Sequence, residues 1–243
     1  MKAMILAAGE GRRLRPLTDA VPKPMLPVGG RPLLVHLIDL LRSHGVREIA
    51  INLHHQPEVV SAFLGDGRHF GLRVTYSLEE RLLGSAGGVK RMEAFFGDEP
   101  FFVIYGDVLT GLDLTALRAF HAARGAALTM ALYQPAALNQ CGVVGLAEDG
   151  RVLAFVEKPA PGEEPSRWAN AGIYVVEPPV LRQIPPDTPF DFGADLFPLL
   201  LERAVSLYGY VSDAPVVDIG TPEGYERAEA VARRLSTVEA GRS

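Results

Sequence analysis

The first half of the sequence alternates short apolar runs with segments of helical periodicity. Apolar runs at Ala3–Ala8, Glu48–Leu53 and Leu72–Tyr76 predict strands. Leucine and isoleucine recur at helical spacing from Leu33 to Leu41, and Gln56–Leu64 predicts a second helix that ends before glycine. Strands separated by helices in this way form a parallel sheet with helices on both faces. The sequence therefore predicts an α/β fold.

The pattern changes after about residue 135. Short strands then follow one another at Val143–Ala147, Val152–Val156 and Ile173–Val176, and Pro222 opens a final helix that runs to about Leu235. We therefore predict a Rossmann-like three-layer sandwich, whose mostly parallel central sheet is extended by mixed strands in the C-terminal half. Because no linker or repeat interrupts the chain, we expect a single domain over 1–243, with halves of about 1–135 and 136–235.

The composition limits the possible partners and compartments. A net charge of −5 argues against a broad nucleic-acid surface, which needs a strongly basic face. The single cysteine, Cys141, excludes an intrachain disulfide and a cysteine-based zinc site. There is no apolar run long enough to span a bilayer, and Ile5–Ala8 is too short for the apolar part of a signal peptide. We expect a cytoplasmic protein with no membrane or nucleic-acid partner; the oligomeric state is not predicted.

A glycine-rich basic loop follows the first strand. It reads Gly9-Glu10-Gly11-Arg12-Arg13, and Pro22-Lys23-Pro24 adds a cation held between two prolines. Glycines let the backbone approach a ligand closely, and arginine matches phosphate geometry. The loop lacks the third glycine of a dinucleotide-binding motif and the GK[ST] ending of a P-loop. An anion site of another kind is predicted, and a solvated basic loop is the alternative.

Two aspartates follow predicted strands. Asp107 comes directly after the apolar run Phe101–Tyr105, and Asp218 precedes Gly220. Ligands of open α/β sheets bind beyond the carboxyl ends of the strands, so both side chains should face the basic loop. Two carboxylates near cations suit a Mg²⁺–phosphate site, because Mg²⁺ is held by one or two carboxylates together with phosphates and water. The alternative for Asp107 is a turn aspartate or a helix N-cap.

A third set of polar residues lies in the C-terminal half. Glu157-Lys158-Pro159 ends a predicted strand and Asn170-Ala171-Gly172 opens another. A carboxylate and an amide can bind sugar hydroxyls, and the lysine can bind a phosphate. Taken alone, Glu157-Lys158-Pro159 is also an ordinary strand-to-turn sequence.

Taken together and in order, these motifs resemble the sugar-1-phosphate nucleotidyltransferases, also called NDP-sugar pyrophosphorylases. The resemblance spans nearly the whole chain and depends on the ordered set of motifs, which are Gly9-Glu10-Gly11-Arg12-Arg13, Pro22-Lys23-Pro24, Leu83-Gly84-Ser85-Ala86-Gly87, Gly106-Asp107, Glu157-Lys158-Pro159, Asn170-Ala171-Gly172-Ile173-Tyr174 and Asp218-Ile219-Gly220-Thr221-Pro222.

The resemblance implies a role for each matching residue. Arg13 and Lys23 would bind the nucleotide phosphates, Lys158 would bind the phosphate of the sugar, and Asp107 and Asp218 would hold Mg²⁺. The catalytic residues are thus Arg13, Lys23, Asp107 and Lys158. The implied nucleotide contacts are Leu6, Ala8, Gly9, Gly11, Glu79, Gly84 and Ser85, and the implied sugar contacts are Gly142, Glu157 and Asn170. The half up to about 135 would bind the nucleotide, and the half from 136 to 235 the sugar phosphate.

The sequence departs from the family pattern at a few positions. Arg12 stands where many members have threonine, which adds a cation to the loop. Cys141 replaces a common tyrosine before Gly142, and Val216 replaces a common tryptophan before the final aspartate. These departures concern the sugar pocket more than the phosphate chemistry. Some relatives append a left-handed β-helix, and we expect none here.

The implied reaction joins a nucleoside triphosphate and a sugar 1-phosphate, the two expected substrates, into a nucleotide sugar and pyrophosphate. The first choice within the family is mannose-1-phosphate guanylyltransferase, because Ser77-x-Glu79 and Leu83–Gly87 are most like that branch. The alternatives are a glucose-1-phosphate thymidylyl- or uridylyltransferase, and a uridylyltransferase acting on amino-sugar phosphates. A non-catalytic regulator that binds nucleotide sugars is the alternative from another class. A dinucleotide-dependent oxidoreductase is disfavoured by the missing third glycine.

Overall fold

The computed structural model describes the backbone of residues 1–240 and the side chains of residues 1–233. The strands are β1 (Ala3–Leu6), β2 (Pro27–Val28), β3 (Arg31–Pro32), β4 (Glu48–Leu53), β5 (Arg73–Leu78), β6 (Phe101–Tyr105), β7 (Val108–Thr110), β8 (Leu128–Tyr133), β9 (Gly142–Leu146), β10 (Val152–Glu157), β11 (Ala169–Val176), β12 (Leu207–Val211) and β13 (Val216–Asp218). The α-helices are α1 (Leu17–Ala20), α2 (Leu33–Ser43), α3 (Pro57–Leu64), α4 (Gly84–Arg91), α5 (Glu93–Phe96), α6 (Leu114–Arg124), α7 (Phe197–Glu202) and α8 (Pro222–Ala240).

The central sheet has the order β10-β9-β11-β6-β1-β4-β5. Strands β6, β1, β4 and β5 are parallel, whereas β11 runs antiparallel to β6 and β9 pairs antiparallel with β10. Strand β8 pairs with β11, and β12 extends the sheet beside β8. This mixed C-terminal extension of a parallel sheet confirms the predicted fold class.

Successive residues of β1 point to opposite faces of the sheet and separate the core into two layers. Ile5 packs with the α2 residues Leu37 and Ile38 on one face. Met4 packs on the other face with Val89 of α4 and Phe197 of α7. All six side chains are essentially buried. Helices therefore cover both faces of the parallel strands, which explains why the strand sequences are almost continuously apolar.

Several details differ from the sequence-based prediction. The final helix continues past Leu235 to Ala240, and residues 241–243 lie outside the described part of the chain. A π-helical turn at Phe192–Leu196 precedes α7. Strand β12, which the sequence reading did not predict, pairs in parallel with β8. None of the helices that the structure describes is long and apolar enough to cross a membrane.

Candidate active site

The first loop has a conformation fixed by a buried threonine. Gly11 has φ 64° and precedes a 3₁₀ turn over Arg12–Leu14. The Thr18 hydroxyl donates to the Gly11 carbonyl at 2.8 Å. A Cβ at Gly11 would lie 2.8 Å from the Thr18 methyl carbon, so both the backbone angle and the packing require glycine. This turn leaves Leu14 buried and directs Arg13 towards the cleft described below.

A buried amide–carboxylate pair lies behind the loop. The Ala7 backbone N–H donates to Asn52 Oδ1 at 2.8 Å, and Asn52 Nδ2 donates to Glu79 Oε1 at 2.8 Å. Glu79 Oε2 accepts from the Leu83 N–H at 2.9 Å, and Glu79 is only 2% exposed. Glu79 thus joins the loop after β1 to the turn that opens α4. Sequence reasoning missed Asn52, because no local pattern shows that β4 places it beside Ala7.

Lys23 forms an ion pair with Asp107. A 3₁₀ turn over Lys23–Met25 follows Pro22, and Lys23 Nζ donates to Asp107 Oδ2 at 2.8 Å. The lysine side chain is 13% exposed and that of the aspartate 23%. A partly buried, charge-assisted hydrogen bond of this kind is stronger than a pair at the surface. The structure therefore joins two of the predicted catalytic residues, which are far apart in the sequence.

Asp218 lies next to Asp107 because β13 pairs antiparallel with β7. The Ile219 N–H donates to the Asp107 carbonyl at 2.9 Å, and Asp218 stands opposite Val108. Burial, and then the charge of Asp107, raises the pKa of Asp218, although a hydrogen bond from the Gly220 N–H opposes the rise. A divalent cation would relieve this repulsion between neighbouring carboxylates. The two oxygen donors fit Mg²⁺ completed by phosphates and water; a cluster of three or more metal-binding side chains does not occur among the described residues.

The predicted sugar-phosphate side of the site is built around the end of β10. Lys158 has φ 49°, a conformation rare for a non-glycine residue, and its N–H donates to the Cys141 carbonyl at 3.0 Å. Its ammonium lies 3.8 Å from Glu157 Oε1, and the two side chains are 64% and 44% exposed respectively. A Cβ at Gly142 would lie 2.4 Å from the Phe155 ring and 2.9 Å from Glu157 Oε2, so the close packing of β10 side chains over this end of β9 requires glycine.

Asn170 is oriented by a buried tyrosine. Its Nδ2 donates to the Tyr174 hydroxyl at 2.8 Å, and its Oδ1 accepts from the Gly172 N–H at 3.0 Å. Tyr174 also interacts with Tyr105, whose pKa is raised to about 12 mainly by burial. Both phenols are therefore neutral hydrogen-bonding groups at physiological pH. The predicted sugar contact thus rests on a rigid support within the sheet.

Asp191 connects the two sides and was missed by the sequence reading. Its Oδ1 accepts from the Ser85 N–H at 2.8 Å and from the Ser85 hydroxyl at 2.9 Å. The Phe190 carbonyl lies against the same turn, because a Cβ at Gly84 would approach its oxygen to 2.6 Å. Ser85, predicted as a nucleotide contact, is thereby attached to the segment before α7. Phe190–Gly193 carries no motif that would have identified this role.

These elements enclose a cleft of about 470 Å³ at the carboxyl ends of the parallel strands. The predicted site residues that line it are Arg13, Ser85, Asp107, Gly142, Glu157, Lys158, Asn170 and Asp218. The other predicted residues, which do not line this cavity, are Leu6, Ala8, Gly9, Gly11, Lys23, Glu79 and Gly84. Lys23 is joined to the cleft by its ion pair with Asp107, which lines the cleft. Glu79 is buried beneath the first loop.

Residues 2–234 match the nucleotidyl transferase family, and the chain belongs to this family. A UTP–glucose-1-phosphate uridylyltransferase of Synechocystis is 40% identical over 94% of the chain and 62% of that relative. A mannose-1-phosphate guanylyltransferase of Mycobacterium tuberculosis is 37% identical over 94% and 63%. The chain thus spans about three fifths of the length of these two. A D-glycero-α-D-manno-heptose 1-phosphate guanylyltransferase of Aneurinibacillus thermoaerophilus is 31% identical over 94% of the chain and 97% of its own length.

Solved structures share the fold. A proposed glucose-1-phosphate thymidylyltransferase from Bacillus anthracis, in complex with sucrose, superposes with a TM-score of 0.87 at 28% identity. This match covers 96% of the chain and 95% of the other protein. HddC from Yersinia pseudotuberculosis, complexed with GMP-PN, gives 0.79 at 25% identity over 94% and 98%. The resemblance of the motif order to sugar-1-phosphate nucleotidyltransferases is confirmed by these relatives.

Proposed function

We propose that the protein transfers a nucleotidyl group from a nucleoside triphosphate to a sugar 1-phosphate, releasing pyrophosphate. One observation carries the proposal: the same cleft is lined by the neighbouring carboxylates of Asp107 and Asp218 and by the cations Arg13 and Lys158. Such a cleft can hold two anionic substrates side by side. Family membership and the names of the relatives support this reaction class.

In the proposed step, an oxygen of the sugar phosphate attacks the α-phosphorus of the triphosphate. A new bond forms between that oxygen and the α-phosphorus, while the bond from the α-phosphorus to the bridging oxygen of the β-phosphate breaks. The pyrophosphate leaves with the electron pair of the broken bond. Because a phosphate monoester has a second pKa of about 6, it is already a nucleophile at neutral pH. The step needs no general base from the protein.

The cations lower the repulsion between the substrates. Arg13 and Lys23 bind the phosphates of the nucleotide, and Lys158 binds the phosphate of the sugar. Asp107 and Asp218 would hold Mg²⁺, which supplies charge neutralisation and orientation at the reacting phosphates when it is bound. Preorganised charges of this kind commonly contribute about 10²–10³ in rate each.

The remaining residues position the two substrates. We assign the nucleotide half to residues up to about 135, with contacts from the backbone or side chains of Leu6, Ala8, Gly9, Gly11, Gly84 and Ser85. Because both oxygens of Glu79 already accept hydrogen bonds from within the protein, its contribution is to hold the loops around the base. We assign the sugar half to 136–235, with contacts from Gly142, Glu157 and Asn170.

Mannose-1-phosphate guanylyltransferase is the first specific proposal, and a glucose-1-phosphate uridylyltransferase is the second. The Ser77-x-Glu79 and Leu83–Gly87 arrangement favours the first, whereas the 40% identity to the Synechocystis enzyme favours the second. Pyrophosphate release should be measured with a panel of triphosphates and sugar 1-phosphates, with and without Mg²⁺. Release with GTP and mannose 1-phosphate supports the first, and release with UTP and glucose 1-phosphate the second. No release with any pair would favour a nucleotide-sugar-binding regulator.

A further inference from the structure

One segment of the C-terminal half reaches back to the nucleotide side of the cleft. It is Phe190–Gly193, which we call the bridging segment, and it includes the start of the π-helical turn before α7. Two of its residues, Asp191 and Gly193, line the cleft. The segment belongs to the half assigned to the sugar phosphate, and none of the roles proposed above uses it.

Backbone hydrogen bonds attach the bridging segment to the turn that opens α4. The Phe190 N–H donates to the Leu83 carbonyl at 2.8 Å. The Phe190 carbonyl accepts from the N–H groups of Ala86 and Gly87, each at 2.9 Å. These two N–H groups belong to the first turn of a helix and therefore have no acceptor within it. The bridging segment thus supplies the acceptors that the start of α4 lacks.

Asp191 completes this attachment with its side chain. Its Oδ1 accepts from the Ser85 N–H at 2.8 Å and from the Ser85 hydroxyl at 2.9 Å, and the Ser85 oxygen accepts in turn from the Phe192 N–H at 2.9 Å. Asp191 is itself held, because its N–H donates to Asp195 Oδ2 at 2.7 Å. Both donors of Ser85 are therefore used within the protein, and Asp191 fixes the place of this turn beside the nucleotide.

The other end of the bridging segment supports the sugar side. A Cβ at Gly193 would lie 2.9 Å from Glu157 Oε2 and 3.4 Å from the Phe155 ring. The Glu157 carboxylate therefore lies directly over Gly193, where a larger residue would displace it. Because this carboxylate ends a flexible side chain that is 44% exposed, such a displacement moves the carboxylate and leaves the backbone in place.

We propose that Asp191 is a positioning residue for the nucleotide side, and that Gly193 positions the Glu157 carboxylate for the sugar side. The bridging segment is thereby a common support for contacts of both substrates. This inference rests on the proposed nucleotidyl transfer and adds two residues to it. Neither residue takes part in the chemistry, because each acts through the group that it holds.

The first test changes Asp191 and uses the best pair of substrates from the panel described above. Asp191→Ala removes the acceptor of both Ser85 donors, so it is expected to raise the KM for the triphosphate about tenfold and the KM for the sugar phosphate less than about threefold. Asp191→Asn keeps an acceptor oxygen in the same place and should return the KM for the triphosphate to within about threefold of the wild type. Asp98→Ala is the matched control, since Asp98 is exposed and does not line the cleft.

The second test changes Gly193. Gly193→Ala should raise the KM for the sugar phosphate about tenfold, because the displaced Glu157 carboxylate loses its place beside the sugar. The KM for the triphosphate should stay within about threefold of the wild type. In a Glu157→Ala background there is no carboxylate to displace, so adding Gly193→Ala should change either KM less than about twofold.

The outcomes separate the inference from the function on which it rests. The inference is refuted, while nucleotidyl transfer stands, if folded Asp191→Ala and Gly193→Ala leave both KM values unchanged or raise the two equally. It is also refuted if Asp191→Ala raises the KM for the sugar phosphate alone, which would make Asp191 a direct sugar contact, or if Asp191→Asn is as impaired as Asp191→Ala. If the wild type releases no pyrophosphate with any pair, the proposed function fails and the inference fails with it.

Discussion

The two sides of the cleft are built in different ways. On the nucleotide side, the supporting groups are buried and hydrogen-bonded to one another: Asn52 and Glu79 are 3% and 2% exposed and hold Ala7 and Leu83. On the sugar side, the Glu157 and Lys158 side chains are 44% and 64% exposed, with only a loose contact between them. The first side is therefore held by buried hydrogen bonds, whereas on the second side Asn170 is held in this way and the side chains of Glu157 and Lys158 are not.

This difference indicates that specificity for the sugar phosphate can change with little effect on the buried hydrogen bonds of the nucleotide side. The relatives are named for glucose, mannose and heptose phosphates, yet they match this chain over almost its full length. A triphosphate presents the same phosphate groups in every case, so a rigid support suits it. Sugars differ in their substituents, and the exposed side chains of Glu157 and Lys158 can change without disturbing the buried network.

The largest loss of activity is expected when the cation of the partly buried Lys23 is removed. Lys23→Ala should lower kcat by about 10²–10³, because it removes a preorganised charge at the nucleotide phosphates. Steady-state pyrophosphate release checks this, with circular dichroism to confirm folding. Lys90→Ala is the matched control, since Lys90 pairs with Glu93 and does not line the cleft. Near-normal activity of Lys23→Ala would show that the ion pair with Asp107 is only structural.

The next largest effect is expected on the KM of only one of the two substrates. Lys158→Ala is expected to raise the KM for the sugar phosphate about 10- to 100-fold, because a hydrogen bond to a charged group is worth roughly 1.5–3 kcal/mol. The KM for the triphosphate should change less than threefold. Initial rates with each substrate varied in turn give both values. An equal rise in the two constants would contradict separate sites for the two anions.

A pair of matched substitutions compares how much one carboxylate on each side of the cleft contributes to the free energy of unfolding. Glu79→Gln should lower the free energy of unfolding by about 1–3 kcal/mol, because both partners of the carboxylate are N–H donors and the new amide turns one more donor towards them. Glu157→Gln, at a half-exposed position, should change it by less than about 0.5 kcal/mol. Urea unfolding of both variants makes the comparison. Equal changes would mean that the two sides do not differ in preorganisation.

The smallest effect is expected at Arg12. Its side chain is 73% exposed and its guanidinium donates to Glu10, a surface pair of the kind that contributes little. Arg12→Thr should therefore change kcat and both KM values less than about threefold. A tenfold rise in the KM for the triphosphate would instead make Arg12 a third cation of the nucleotide side.

Sequence reasoning predicted the fold and the motif residues that line the cleft, because strand ends in a parallel sheet meet at one edge. It did not predict that Glu79 lies beneath the loop, that Asn52 holds Ala7, or that Asp191 holds Ser85. These bonds join residues 27 to 106 positions apart, and they depend on strand register and on the path of irregular segments. Such information is not present in any local pattern.

The most direct test of the whole account is Mg²⁺-dependent pyrophosphate release by the wild type and by Asp107→Asn. The asparagine keeps the shape of the side chain but removes the charge that faces Lys23 and adjoins Asp218. We expect release by the wild type with at least one pair of triphosphate and sugar 1-phosphate, and a loss of about 10²-fold or more in the folded variant. Wild-type rates in folded Asp107→Asn would contradict the proposed role of Asp107 in catalysis.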